Sequence, residues 1–94
     1  MNGIMSRISV QVDDLRRAIM QCEQLRQRLL QQVTTVRSIH ARLQDWRGKS
    51  AEELSSKMEL FMQGAALKIQ ELEQRIRELE AYISRMLEAD RSLN

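Results

Sequence analysis

The sequence LQDWRGKSAEEL, residues 43–54, separates two long stretches of helix-forming residues. Gly48 can adopt the positive φ that ends a helix at little steric cost. Ser50 is a common N-cap residue, and Glu53 three positions later completes a capping box, in which each side chain accepts a hydrogen bond from the other residue's backbone amide. The pattern therefore predicts that one helix stops and another starts around a turn at residues 45–50.

A turn this short places two helices side by side as an antiparallel hairpin. Trp46 lies at the tip, where a large ring can cover the open end of the helix pair. The chain has 94 residues, no proline and few aromatic residues, which suits one domain and disfavours β-sheets. We therefore predict an all-α protein in which residues 1–94 form a single helical hairpin.

Upstream of the bend, apolar residues recur in alternating steps of three and four, the repeat of helices that pack along a narrow seam. This repeat predicts a first helix over about residues 9–44. Its register passes through Arg26 and His40, where apolar residues would be expected. The predicted seam residues of this helix are Val12, Leu15, Ile19, Leu29, Val33, Val36 and Leu43.

Downstream of the bend, the same repeat predicts a second helix over about residues 51–90. Two steps of four follow each other, from Phe61 to Ala65 and from Ala65 to Ile69. Such a stutter locally relaxes the supercoil. Gly64 lies at that point, where a close backbone approach or a mild bend is expected. The predicted seam residues of this helix are Leu54, Met58, Phe61, Leu72, Ile76, Leu79 and Ile83.

Arg26 and His40 have two interpretations. Polar groups at core positions can set pairing register or partner choice, which makes both residues candidate determinants of specificity. Alternatively, both lean outward into water, Arg26 through its long apolar stem.

A lone hairpin has a seam but no enclosed core. Further apolar residues widen both stripes beyond what one neighbouring helix covers, and these are Val10, Leu30, Ile39, Leu60, Met62, Leu67 and Leu87. We therefore predict that two hairpins pair into a four-helix bundle, as a homodimer or with a related partner.

The charge distribution fits this arrangement. Residues 1–44 carry a net charge of +4 and residues 52–94 a net charge of −3, which suits helices lying side by side. A nucleic-acid-binding protein more often concentrates positive charge on one uncompensated face. No window approaches the roughly 20 apolar residues of a membrane-spanning helix, and the N-terminus lacks the pattern of a cleaved signal peptide. We expect neither nucleic-acid binding nor stable membrane insertion.

Catalysis has little support in the sequence. His40 lies about 27 Å from Cys22 along one helix, so the two residues cannot form a dyad within a chain. The carboxylates show no metal-ligand spacing, and there is no glycine-rich loop. We interpret Cys22 as a small apolar filler rather than a redox or metal-binding thiol, and we expect no enzymatic activity, metal or cofactor.

The motif Trp46-Arg47-Gly48 between two long helices resembles the Trp-x-Gly bend of the WXG100 family, the small ESAT-6-like proteins. Residues 8–18, ISVQVDDLRRA, are also similar to the usual start of the family's first helix, and residues 50–54 to the start of its second. The resemblance covers nearly the whole chain. It implies export by a type VII (ESX-type) secretion system without a cleaved signal peptide, either as a folded dimer or as an escort for a larger secreted effector.

The partners implied by the resemblance are a second copy, a related helical-hairpin protein or the N-terminal domain of a toxin, with the secretion-system ATPase engaging the complex. Members of the family, or their partners, usually carry a Tyr-x-x-x-Asp/Glu signal after the second helix. Here Met86 stands four positions after Tyr82, the only tyrosine, in place of the acid. We therefore expect the partner to supply the signal and Tyr82 to be an aromatic residue at the edge of the seam.

Two other functions fit a helical hairpin. One is a coiled-coil adaptor unrelated to secretion, in which Trp46 and Gly48 would be replaceable as long as the turn still closed. The other is a membrane-active helical effector, which the mixed charges of both halves do not favour.

Overall fold

The computed structural model describes the backbone of residues 3–93 and the side chains of residues 7–92. It contains helix α1, Gly3–Leu43, and helix α2, Lys49–Leu93, joined by residues 44–48. The two helices pack against each other as a hairpin, and the described residues include no strand. The predicted all-α hairpin is confirmed. The pairing of two hairpins into a four-helix bundle stays a prediction.

Both helices are longer than the sequence predicted. The predicted bounds, 9–44 and 51–90, lie inside or within one residue of the observed helices. Apart from Ser50, the extra residues carry no strong start or stop signal, and proline is absent. Helix ends without such signals are the least defined part of a sequence pattern.

The chain divides into two compact units. The first unit consists of Met1–Gln24 and Leu72–Asn94, and the second is Leu25–Glu71, which contains the bend. Each unit holds one segment of α1 and one segment of α2. The prediction that residues 1–94 form a single domain stays a prediction.

The least exposed side chains of α1 follow the alternating repeat without interruption. Val12, Val33 and Leu43 are buried. The half-buried positions in the same register are Ile8, Leu15, Ile19, Cys22, Arg26, Leu29, Val36 and His40. The two polar residues of the predicted seam therefore lie in its register and are not fully exposed.

The seam of α2 differs from the predicted one. Its buried residues are Ala65, Leu72, Ile76 and Ile83, and its half-buried positions in register are Ala51, Ser55, Met58, Met62, Ile69, Leu79, Met86 and Asp90. These positions alternate in steps of four and three throughout, so the predicted stutter is absent.

Leu54 and Phe61 lie outside the seam of the hairpin, with 43% and 40% of their surface exposed. The prediction that placed them in this seam is wrong for the single hairpin, because Ser55 and Met62, one residue later in each case, occupy the inward positions. Leu54 and Phe61 flank the seam instead. Their membership of an interface between two hairpins stays a prediction.

Candidate functional site

The last turn of α1 is tightened at the bend. The backbone amides of Gln44, Asp45 and Trp46 donate to carbonyls three residues earlier, at 3.4, 3.3 and 3.0 Å. Such bonds satisfy carbonyl groups that the end of an α-helix leaves without a helical partner. Helix α1 therefore ends through its own backbone and without a glycine cap.

Gly48 has a φ of +118° and is the one residue with a positive φ in the part of the chain that the structure describes. The predicted conformation is confirmed, but its position in the hairpin differs from the prediction. The carbonyl of Gly48 accepts a hydrogen bond from the amide of Glu52 at 3.2 Å, which is the first helical bond of α2. Gly48 therefore precedes the start of α2 as its N-cap, five residues after the end of α1.

This start of α2 does not match the predicted capping box. Because α2 begins at Lys49, Ser50 lies inside the first turn, whereas a capping serine needs a non-helical backbone at the N-cap position. Glu53 then lies two residues beyond the third helical position, from which a glutamate side chain would accept a hydrogen bond from the backbone amide of the N-cap residue. Glu52 is the acidic residue of the first turn, where it faces the positive end of the helix dipole favourably.

Trp46 is 68% exposed. Its side chain lines an open hollow beside the bend, together with Leu43, Ala51, Ser55 and Glu59 among others. Most of the ring surface therefore remains in water rather than covering the end of the helix pair. A large exposed aromatic side chain of this kind is well suited to contact a partner protein.

His40 joins the two helices close to the bend. Its Nε2 atom lies 2.9 Å from Ser55 Oγ and 3.3 Å from Glu59 Oε1, and its side chain is only 19% exposed. In a catalytic triad, the serine and the carboxylate meet opposite nitrogens of the histidine, whereas here both meet the same nitrogen. The cluster therefore connects α1 to α2 and does not have the geometry that activates a serine.

Sequence reasoning singled out His40 but missed Ser55 and Glu59. The available signal was the register of α2, which runs through Ala51, Ser55 and Met58 and so turns Ser55 towards α1. Hydrophobicity alone favours Leu54 over Ser55 as the inward residue, which obscures this signal in the sequence.

The described residues include neither a cluster of metal ligands nor a membrane-spanning helix. Within residues 3–93, no three His, Cys, Asp or Glu residues are grouped so that they could hold a metal ion. Cys22 is a free, half-buried thiol. Neither described helix has a stretch apolar enough to cross a membrane.

One outer face of α2 is unusually apolar, and we call it the Gly64 face. Leu60 and Leu67 are 68% and 67% exposed, and Phe61 is also exposed. All three lie three or four positions from Gly64, so they surround it on the helix surface. A Cβ atom added at Gly64 would meet nothing within 4 Å.

Tyr82 lies inside α2, in the first unit. Its ring is about half exposed, and the Arg85 guanidinium lies 5.7 Å from the ring centroid. Tyr82 and Met86 line a shallow hollow with Leu15 and neighbouring residues of α1. The position where the resemblance implies an acid thus holds a half-buried apolar side chain.

Comparison of the chain with models of known protein families, with curated proteins and with solved structures gives no match. The features of the chain that bear on function are therefore the bend around Trp46 and the exposed apolar side chains of the hairpin.

Proposed function

We propose that the chain is a small type VII (ESX-type) secretion protein, exported as a dimer or serving as the escort of a larger secreted effector. One observation carries the proposal: an exposed Trp46 stands two residues before Gly48, in a bend between helices of 41 and 45 residues. The φ of +118° at Gly48 explains why the motif has glycine at this position, since other residues rarely adopt this backbone conformation.

The surface of the hairpin supports a role in binding another protein. The seam buries seven apolar side chains, but of the side chains that the structure describes none is less than 2% exposed, so the seam alone does not form a fully enclosed core. Beside the seam of the second unit, five large apolar side chains are between 36% and 43% exposed, namely Leu25, Leu30, Ile39, Leu54 and Phe61. A second hairpin in a four-helix bundle would cover such flanks.

The proposed partner is a second copy, a related hairpin protein or the helical N-terminal domain of a toxin. Because Met86 replaces the acid after Tyr82, the partner would supply the export signal to the secretion-system ATPase. The chain would be made in the cytoplasm and exported without cleavage of a signal peptide.

Secretion of bend variants tests the proposal. In the organism of origin, we expect the wild-type chain to reach the culture medium only when the type VII ATPase is present. Replacing Trp46 with Ala should abolish export without changing a backbone angle, whereas Arg47→Ala in the same bend serves as the matched control and should be exported. Export of the wild-type chain that does not depend on the ATPase would contradict the proposal, as would normal export of the Trp46 variant.

The second candidate is a coiled-coil adaptor with no role in secretion. The unbroken repeat of both helices favours it, since a regular seam is sufficient for pairing. In that case, the Trp46→Ala variant would still form its complex, and the chain would stay in the cell with or without the ATPase. Comparing complex formation with export in one strain therefore separates the two functions.

A further inference from the structure

Gly64 has no evident role within the hairpin. Glycine in the middle of a helix is less stable than alanine, yet the space beside Gly64 is open and its φ is not positive. It lies at the centre of the Gly64 face, between Leu60 and Phe61 on one side and Leu67 on the other. A glycine in such a position allows the backbone of another helix to approach closely.

The side chains on either side of Gly64 are complementary to one another. Lys57 lies seven positions before Gly64, and Glu71 lies seven positions after it. Leu60 lies four positions before Gly64, and Leu67 lies three positions after it. Phe61 lies three positions before Gly64, and Lys68 lies four positions after it. Each residue on one side thus has a suitable counterpart on the other: opposite charges, two leucines, and an aromatic ring with an ammonium group.

Resting on the proposed function as a dimerising hairpin, we propose that a second copy of this chain packs its α2 antiparallel against the Gly64 face. The two-fold axis passes beside Gly64, so the glycines of the two copies meet. Lys57 of each copy then faces Glu71 of the other, Leu60 faces Leu67, and Phe61 faces Lys68. Such an interface is isologous, because both copies use the same face.

The charges decide the direction of the pairing. A parallel arrangement in the same register would place Lys57 against Lys57 and Glu71 against Glu71, and like charges across an interface disfavour association. Within one hairpin, Lys68 Nζ lies 3.0 Å from Glu71 Oε2. Both side chains of this pair are more than half exposed, and such surface pairs contribute little to stability.

Charge exchange tests the arrangement. We expect Lys57→Glu alone and Glu71→Lys alone each to raise the Kd of the homodimer by about tenfold or more, because each places like charges together twice. The double variant should return to near the wild-type Kd. An equimolar mixture of the two single variants should form a mixed dimer of nearly wild-type affinity. Sedimentation equilibrium and circular dichroism report association and helix content.

A matched control changes a charge away from the Gly64 face. Arg37→Glu alters an exposed charge of α1 with the same change in net charge as Lys57→Glu, and its homodimer should keep the wild-type Kd. A wild-type dimer whose Kd is unaffected by Lys57→Glu would overturn the arrangement while leaving the proposed function intact. A wild-type chain that binds only a different hairpin protein would also overturn it. Failure of the proposed function appears separately, in the export of the wild-type chain.

Cross-linking gives a second measurement. In a Cys22→Ala background, Gly64→Cys should form a disulfide-linked dimer on mild oxidation, since only this position of the face meets itself. Lys57→Cys should not cross-link with itself, but it should do so when mixed with Glu71→Cys. Self-cross-linking of the Lys57 variant at the rate of the Gly64 variant would contradict the antiparallel pairing.

Discussion

At the scale of single residues, Gly48 is the clearest case of a conformation that one residue type supports. A side chain at φ +118° is strained, whatever space surrounds it. We expect Gly48→Ala to lower the free energy of unfolding by about 1–3 kcal/mol, measured by urea denaturation. Arg47→Ala, whose backbone angle is ordinary and whose side chain is exposed, should change it by less than about 0.5 kcal/mol. Equal effects at both positions would show that the φ at Gly48 is not the cause.

His40 and Ser55 connect the two helices through a hydrogen bond of 2.9 Å. A double-mutant cycle with His40→Ala and Ser55→Ala should give a coupling energy of about 0.5–1.5 kcal/mol, because each single change removes the same bond. The cycle with Ser56→Ala is the control, since Ser56 is exposed and should be additive with His40→Ala. Additivity in both cycles would mean that the hydrogen bond contributes nothing measurable to stability.

At the scale of the helix, Val10 and Val12 are a matched pair. They lie two positions apart on α1, with 59% and 3% of their surface exposed. Val12→Ala removes buried methyl groups and should lower the free energy of unfolding by about 1 kcal/mol or more. Val10→Ala should raise it by up to about 0.5 kcal/mol, because alanine is the better helix former. Thermal or urea unfolding of both variants measures this, and a loss at Val10 as large as that at Val12 would refute the seam register.

The sequence was sufficient to predict two helices, their seam in α1 and the place of the bend. The sequence was misleading in the first half of α2, where two possible registers of inward-facing residues are offset from each other by one residue. If the more apolar of two adjacent residues is taken to face α1, the inward residues of α2 are Leu54 and Phe61. If the alternating steps of three and four are continued without a break, the inward residues are Ser55 and Met62. Packing decides for the second, because the Ser55 hydroxyl finds a partner in His40 across the seam.

The bend shows a second limit of sequence reasoning. The positive φ of Gly48 follows from the residue type. Whether Gly48 caps the end of α1 or the start of α2 depends on the residue at which α1 ends. The i+3 hydrogen bonds at Gln44, Asp45 and Trp46 end α1 before the glycine is reached. This leaves Gly48 to begin α2, and it moves Ser50 from the cap into the first turn.

At the scale of the whole molecule, the proposed pairing predicts that stability depends on protein concentration. The midpoint of thermal unfolding should rise as the concentration increases from roughly 1 to 100 µM, because association stabilises the folded chain by mass action. Circular dichroism melting curves measure this midpoint. For Lys57→Glu, a higher protein concentration should be needed to reach the same midpoint as the wild-type chain. A constant midpoint over this range would indicate a hairpin that is stable without a partner.

The absence of any side chain below 2% exposure, among those the structure describes, also affects how the chain responds to heat and denaturant. Unfolding therefore exposes less new apolar surface than in a domain with a fully enclosed core, and the heat-capacity change and the denaturant slope both scale with that surface. For the isolated hairpin, we expect a heat-capacity change below the roughly 12–15 cal/mol/K per residue of globular domains. Its unfolding transition should therefore be broad, and it should sharpen when a second hairpin covers the flanks.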